Sequence, residues 1–250
     1  MQKKISINII LLTIFSFFIY GICMDSVFAQ KNENDTNYTN QKGVVVSEKE
    51  YQFINNFYGF EYFNTMTSGD YEWIRDLNVD ENEVEIKTNA NIALFGTSVT
   101  QSGKNIKIAK SCSSNCIIIT NCQWLLLPNI KSYDVIGARF SGTNLVNDTI
   151  ITRITSSSGT NYSTDLLRLT NGFGVSVKLP TNSSNIVIEQ KYTVSKGGTV
   201  YASYQHATQN ITLATSKLYT ITSNGYGGVF GFYGSASNKF DRMNGISIDL

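Results

Sequence analysis

The second half of the chain, residues 149 to 250, alternates hydrophobic and polar positions in short runs rich in Ser and Thr. Such runs are typical of β-strands with one buried face. Turn sequences separate them, and Asn-Gly is a strong hairpin signal because both residues tolerate a positive φ. The pattern predicts strands at 149–155, 173–179, 186–194, 199–204, 211–214, 218–222, 229–233 and 246–250, with turns at Asn171-Gly172, Gly197-Gly198, Asn224-Gly225 and Asn244-Gly245.

The run 186–194 shows the alternation clearly. One face carries Ile186, Ile188, Tyr192 and Val194, and the other carries Glu189, Lys191 and Thr193 around Val187. This predicts one face in the core and one in water. Residues 116–127 are apolar and end at Pro128, which predicts one buried strand or two short ones, and 84–108 predicts two or three strands. We therefore expect an all-β fold, an elongated antiparallel sheet or sandwich without βαβ crossovers.

One short, aromatic-rich helix is predicted near the N-terminus. Ser47 and Glu50 have capping-box spacing, Tyr51 to Tyr58 follows helical periodicity, and Gly59 supplies a stop. The aromatic residues of this region have two interpretations. They form the face by which the helix docks on a sheet, or a partly exposed patch that binds a sugar or a receptor. The candidates for the second interpretation are Tyr51, Tyr58, Tyr62, Tyr71 and Trp73.

The first residues are typical of a secretory signal peptide. Lys3 and Lys4 precede an apolar stretch, and Val27-Phe28-Ala29 offers a cleavage site. We expect a signal peptide at 1–29, with an uncleaved anchor as the alternative, and therefore a secreted, extracellular chain. A polar, disordered leader is expected at 30–42, an N-terminal β-rich, receptor-binding region at 43–132, and a β-sheet region at 133–250.

Composition and charge narrow the function. A formal net charge of +1 argues against a nucleic-acid partner, which would require a basic stripe. His206 is the only histidine and has no acid near it in sequence, which indicates that the chain is not an enzyme and needs no cofactor. The acidic stretch 76–85 lacks the Gly and the closing Glu of a calcium loop, with Glu81 and Lys87 in their places.

Three cysteines follow the signal peptide, Cys112, Cys116 and Cys122. An extracellular chain permits a disulfide, and the odd number leaves one thiol over. Both Cys112–Cys116 and Cys112–Cys122 satisfy the spacing. A zinc site is not expected because four ligands are needed and the single histidine is distant in sequence.

The order of features from 137 to 234 resembles the aerolysin-like β-pore-forming toxins, the family that includes clostridial epsilon toxin and the mosquitocidal toxins. The likeness is carried by a strand opening at Asn147-Asp148-Thr149, a Ser/Thr-rich tract at 155–164 leading to Asn171-Gly172, an extended strand at 188–195, and a late strand pair at 211–234. The resemblance implies a secreted protein that binds a cell-surface receptor, forms a homo-oligomer on the target membrane, and inserts a β-hairpin.

The candidate insertion hairpin spans 160–183. A membrane-spanning strand alternates lipid-facing and lumen-facing residues, and the candidate lipid-facing residues are Leu166, Leu167, Leu169, Phe173, Val175, Val177 and Leu179. The competing hypothesis is a secreted β-sandwich that binds a carbohydrate or another surface polymer without forming a pore. In that case Tyr and Trp rings would stack on sugar rings.

Overall fold

The computed structural model describes residues 30–31, 37–89, 103–222, 229–241 and 245–250. The predicted signal peptide and the Asn224-Gly225 turn lie outside these ranges. Within them, no helix has the length and apolar character needed to cross a membrane.

The described part of the chain is mainly strand, with short helices early and late. The helices are α1 Glu48–Phe57, α2 Phe60–Thr65, α3 Ser68–Arg75 and α4 Leu213–Ser216, and a 3-10 turn covers Gly234–Ala236. The strands are β1 Gln30–Lys31, β2 Asn37–Thr39, β3 Val45–Ser47, β4 Glu83–Asn89, β5 Lys104–Cys112, β6 Asn115–Trp124, β7 Tyr133–Ser141, β8 Ile151–Ser156, β9 Gly159–Ser163, β10 Leu166–Leu169, β11 Gly172–Lys178, β12 Val187–Ser195, β13 Thr199–Gln205, β14 Tyr219–Ile221, β15 Phe230–Phe232 and β16 Ile246–Asp249.

Two antiparallel sheets pack face to face as a β-sandwich. The six-stranded sheet has the order β4-β5-β6-β12-β8-β9, and the five-stranded sheet has the order β10-β11-β7-β13-β16. Alternate residues of both sheets fill the space between them, for example Ile106, Ile118 and Ile188 from one sheet and Ile136 and Val200 from the other. The expected all-β, antiparallel fold is confirmed.

Both outer faces of the sandwich are also covered. Helices α1 to α3 pack on the six-stranded sheet, where Ile54, Phe57 and Ile74 meet Ala109 and Ile119. Strands β14 and β15 and their neighbouring loops pack on the five-stranded sheet. The second face of 186–194 is therefore not in water as the alternation suggested, since Glu189 is 1% exposed and Lys191 is 9% exposed beneath the helices.

The helical layer is larger than the sequence indicated. Ser47 and Glu50 form the predicted capping box at α1. A second capping box, formed by Thr67 and Asp70, starts α3. Gly59 has a φ of 102° and lets the chain turn from α1 directly into α2. The predicted stop at Gly59 is therefore a link between helices.

Most predicted strands of the second half are present, with local differences. Residues 211–214 were predicted as a strand, but Thr212 caps the short helix α4 instead. The segment predicted as a disordered leader contains β1 and β2. Both are strands because β1 pairs with β2 and β2 pairs with β3. The apolar run at 116–127 is a buried strand only to Trp124, and its last three residues are exposed, namely Leu125, Leu126 and Leu127.

The candidate insertion hairpin is a fixed part of the sandwich. Leu166–Leu169 and Gly172–Lys178 do pair, but β11 also pairs along its length with β7. Phe173, Val175, Val177 and Leu179 are at most 1% exposed and face the central core, against which Leu166 also packs. Leu167 and Leu169 pack on the other side of the sheet, against the cluster that contains Tyr219 and Phe230. Alternate residues of β11 therefore do not face lipid and a pore lumen. They face two protein layers, the central core and the layer of β14 and β15.

Of the two disulfides that the sequence left open, the structure has Cys112–Cys116. These residues are directly opposite each other where β5 turns into β6. Cys122 is a free, buried cysteine in the middle of β6.

Candidate functional site

A row of polar side chains crosses the outer face of the six-stranded sheet. Lys107 on β5 pairs with Asn121 on β6, Asn121 pairs with Glu189 on β12, and Glu189 pairs with Arg153 on β8. Directly opposed residues of neighbouring strands point to the same face. We call these four residues the polar row.

The centre of the polar row is a buried ion pair. Arg153 Nε lies 2.6 Å from Glu189 Oε2, and the two side chains are 3% and 2% exposed. Asn121 Nδ2 donates to the other carboxylate oxygen, Oε1, at 3.3 Å. Burial lowers the pKa of Arg153, but the Glu189 carboxylate more than offsets this and leaves the pKa raised, so the guanidinium stays charged.

The polar row attaches the helical layer to the sheet. Arg153 donates to Tyr62 Oη at 3.3 Å and to Asp70 Oδ1 at 3.4 Å. Lys107 Nζ donates at 2.7 Å to the carbonyl of Phe57, at the C-terminal end of α1. The Trp73 ring has the Arg153 guanidinium 4.3 Å from its centroid and Lys191 Nζ at 4.7 Å, which adds two cation–π contacts.

A groove of about 490 Å³ opens where α2 and the start of α3 meet the sheet. We call it the tyrosine groove. Tyr58 and Tyr62 form one wall, with Asn121 and Glu189 of the polar row below them. The other lining residues are mostly polar, namely Glu61, Thr65, Met66, Asp70, Gln123, Thr155, Ser156, Ser157, Asn185 and Val187.

The two tyrosines of the groove stack on each other. Their ring centroids are 4.3 Å apart and their planes differ by 15°. Burial, followed by the nearby Glu189 carboxylate, raises the pKa of both phenols, so both remain neutral hydroxyls. The groove therefore combines flat apolar ring surface with neutral hydroxyl, amide and carboxylate groups.

Of the five aromatic residues predicted as a binding patch, the groove contains Tyr58 and Tyr62. Tyr51 stacks on Tyr38 at 4.0 Å. Tyr71 donates to Glu50 at 2.9 Å, and burial together with this carboxylate raises its pKa to about 12. Trp73 is 6% exposed beneath Arg153 and Lys191. Tyr51, Tyr71 and Trp73 thus pack within the helical layer, whereas Tyr58 and Tyr62 both pack there and line the groove.

Asn121, Arg153 and Glu189 were not predicted as site residues from the sequence. Strand alternation placed Glu189 and Lys191 on one face but assigned that face to solvent. Helices α2 and α3 also cover this face, and neither was predicted from the sequence. The capping-box spacing of Thr67 and Asp70 was the available signal for α3.

His206 does have acidic neighbours in space. Its Nδ1 lies 2.9 Å from Asp134 Oδ2, and both side chains are buried. Among the described residues, no group of three or more His, Cys, Asp or Glu side chains could hold a metal ion.

No family model matches the chain, and a search of curated proteins finds no match. Several of the solved structures with some likeness are domains of bacterial surface proteins. The collagen-binding domain from a Staphylococcus aureus adhesin is 12% identical, with 54% of this chain and 86% of that chain covered and a TM-score of 0.29. A structure that concerns the pH-induced modulation of Streptococcus parasanguinis adhesion by Fap1 fimbriae is 13% identical, with 67% of this chain and 95% of that chain covered and a TM-score of 0.32.

The collagen-binding subdomain of the Enterococcus faecalis surface protein ACE is 14% identical, with 38% of this chain and 77% of that chain covered and a TM-score of 0.27. These matches are too distant to support a function, which is argued below from this chain's own residues. They are adhesin domains rather than aerolysin-like toxins, so the resemblance stated from the sequence is wrong. The predicted pore-forming function is wrong with it, and the burial of β11 on both faces gives the physical reason.

Proposed function

We propose that this chain is an extracellular binding module that holds a neutral carbohydrate of a surface polymer in the tyrosine groove, without chemical turnover. The observation that carries the proposal is the groove itself, which the stacked Tyr58 and Tyr62 line together with hydroxyl and amide side chains such as Thr65, Gln123 and Thr155. Sugars present flat C–H faces and rings of hydroxyls. Aromatic rings pack against the first, and hydroxyl and amide groups hydrogen-bond the second.

The charges at the groove favour a neutral ligand over an acidic one. Glu61 and Asp70 line its mouth, and the single guanidinium below, Arg153, is already engaged by Glu189. An incoming carboxylate or sulfate would meet two acidic side chains without a free cation to offset them. Neutral hexoses and N-acetylhexosamines avoid this repulsion.

The groove is preorganised for binding. Tyr62 is held by Arg153, and Asn121 is held by Glu189, so little side-chain entropy remains to be lost. Its volume of about 490 Å³ accommodates a short stretch of a glycan rather than a protein loop.

The test is a neutral-glycan array followed by calorimetric titration of the best ligand into the wild-type chain and two variants. Tyr62→Ala should weaken binding by roughly tenfold or more, which corresponds to about 1.4 kcal/mol. Tyr233→Ala is the matched control, because Tyr233 is 52% exposed and directly follows β15, in the layer that covers the opposite outer face of the sandwich. Thermal melts of both variants separate lost binding from lost folding.

Two outcomes would overturn the proposal. One is an array without signal above background for the wild-type chain. The other is a Tyr62→Ala variant that folds and binds as tightly as Tyr233→Ala, which would place the glycan elsewhere on the surface.

A further inference from the structure

A lysine and an aspartate are in contact in the interior of the sandwich, where β5 begins and β13 ends, and neither residue lines the tyrosine groove. Lys104 Nζ meets Asp241 Oδ2, and the two side chains are 0% and 2% exposed. The residues are 137 positions apart in sequence. Lys104 begins β5 of the six-stranded sheet, and Asp241 follows Phe240, which bridges Ala207 beyond the end of β13 in the five-stranded sheet. The contact therefore joins the two sheets.

The surroundings of the contact are aromatic and closed. The Trp124 ring centroid lies 5.0 Å from Lys104 Nζ, and the Tyr204 ring centroid lies at 5.6 Å. Cys122 lies on the same strand as Trp124, and burial raises the pKa of its thiol. A charged pair in such an enclosure loses its hydration, and the attraction between the two charges does not fully offset that cost in free energy. Moving one proton from the ammonium to the carboxylate leaves a neutral amine against a neutral carboxylic acid, which suits the enclosure better.

We propose that Lys104 and Asp241 condense into an intramolecular amide bond that cross-links the two sheets. The Nζ–Cγ bond forms and the Cγ–Oδ2 bond breaks. One proton of the ammonium first moves to Oδ2, a second follows after the attack, and Oδ2 leaves as water. The third proton remains on the amide nitrogen. The reaction is a condensation without change of oxidation state, so it requires neither an oxidant nor a reductant.

The backbone around Asp241 is arranged for this attack. The His206 N–H donates at 2.8 Å to Asp241 Oδ1, the oxygen that carries negative charge in the tetrahedral intermediate. The other oxygen, Oδ2, faces the amine and is the one that leaves. The Ala207 N–H donates at 2.9 Å to Asp134 Oδ1, which fixes the peptide adjoining the His206 N–H. Holding both reactants in contact removes the entropic cost of bringing them together.

The product would tie β5 to the segment that follows Phe240 and precedes β16. Pulling the ends of the chain could then not separate the two sheets without breaking a covalent bond. Because the enclosure excludes water, the amide would also be protected from hydrolysis.

The test compares intact masses of the reduced, unfolded full chain and of two variants purified alike. The wild-type chain and Lys110→Arg should each be lighter than their sequences by one water, whereas Lys104→Arg should have its full sequence mass. Lys110 is the matched control because it lies on the same strand and its Nζ lies 2.9 Å from Glu85 in an ion pair that is partly exposed. A tryptic digest of the wild type should contain one branched peptide that includes both Lys104 and Asp241.

A full-mass wild-type chain, with the Lys104 and Asp241 peptides recovered separately, would overturn the proposal and leave the contact as an ion pair. This test needs no folded variant, because the wild-type mass decides it. It is also independent of glycan binding at the tyrosine groove.

Discussion

Among the four side chains of the polar row, Arg153 contacts the largest number of other side chains. It pairs with Glu189, reaches Tyr62 and Asp70, and covers Trp73. Replacing it by methionine keeps the bulk but leaves the Glu189 carboxylate buried without its cation. We expect Arg153→Met to lower the free energy of unfolding by about 3–5 kcal/mol, measured by urea denaturation.

Two further variants test the reason for that loss. Lys110→Met breaks a partly exposed ion pair with Glu85 and should cost at most about 1 kcal/mol. Adding Glu189→Gln to Arg153→Met removes the unpaired charge and should restore part of the stability. Equal losses for Arg153→Met and Lys110→Met would mean that the buried pair has no special weight.

Among the strands, β11 is the element whose environment differs most from its sequence-based interpretation. Gly174 lies against the Tyr219 ring, and a Cβ added there would overlap the Tyr219 hydroxyl and ring carbon. We expect Gly174→Ala to destabilise the fold by about 1–3 kcal/mol through overpacking, measured by thermal or urea unfolding. Gly69→Ala in α3 is the control, because only Thr67 lies within reach, at 3.8 Å, and helix propensity should make it neutral or slightly stabilising. If both alanine variants unfold alike, β11 is not packed between two layers.

At the level of elements, short-range signals predicted what they physically determine. The capping box at Ser47 and the alternation in 186–194 reflect neighbouring residues, and both are present in the structure. The turn predicted at Asn171-Gly172 is also present but lies one residue earlier, at Thr170-Asn171, because Gly172 already pairs with Leu169. The alternation gives two faces but not what covers each face. For that reason β11 suggested a membrane hairpin, and the Glu189 face suggested solvent.

Long-range pairing explains why the candidate sites could not be predicted. Asn121, Arg153 and Glu189 meet only because β12 lies between β6 and β8, and Lys104 meets Asp241 across 137 positions. Neither arrangement leaves a local motif. Tyr58 and Tyr62 were accessible to prediction because both belong to one helical cluster, whereas burial of Trp73 depends on the sheet beneath it.

The whole molecule should lose stability in alkali because tyrosines are buried in each layer. Burial raises the pKa of Tyr58 and Tyr62 in the helical layer, of Tyr192 and Tyr204 in the central core, and of Tyr219 beneath β15. An unfolded tyrosine ionises near pH 10, whereas these side chains must stay protonated in the fold. Between the two pKa values the folded state binds more protons, so its stability is complete below about pH 10 and falls as the pH rises further.

Each such tyrosine should contribute a loss of about 1.4 kcal/mol per pH unit above 10. The measurement is urea denaturation at a series of pH values, with tyrosinate absorbance followed in parallel. We expect tyrosinate from these side chains to appear together with unfolding, in one cooperative step. The full tyrosinate absorbance of the unfolded chain, reached near pH 10 while the chain remains folded, would show that the buried tyrosines are open to water, and with them the two outer layers and the sandwich core. The coupling between ionisation and unfolding therefore tests the packing of all the layers in one experiment.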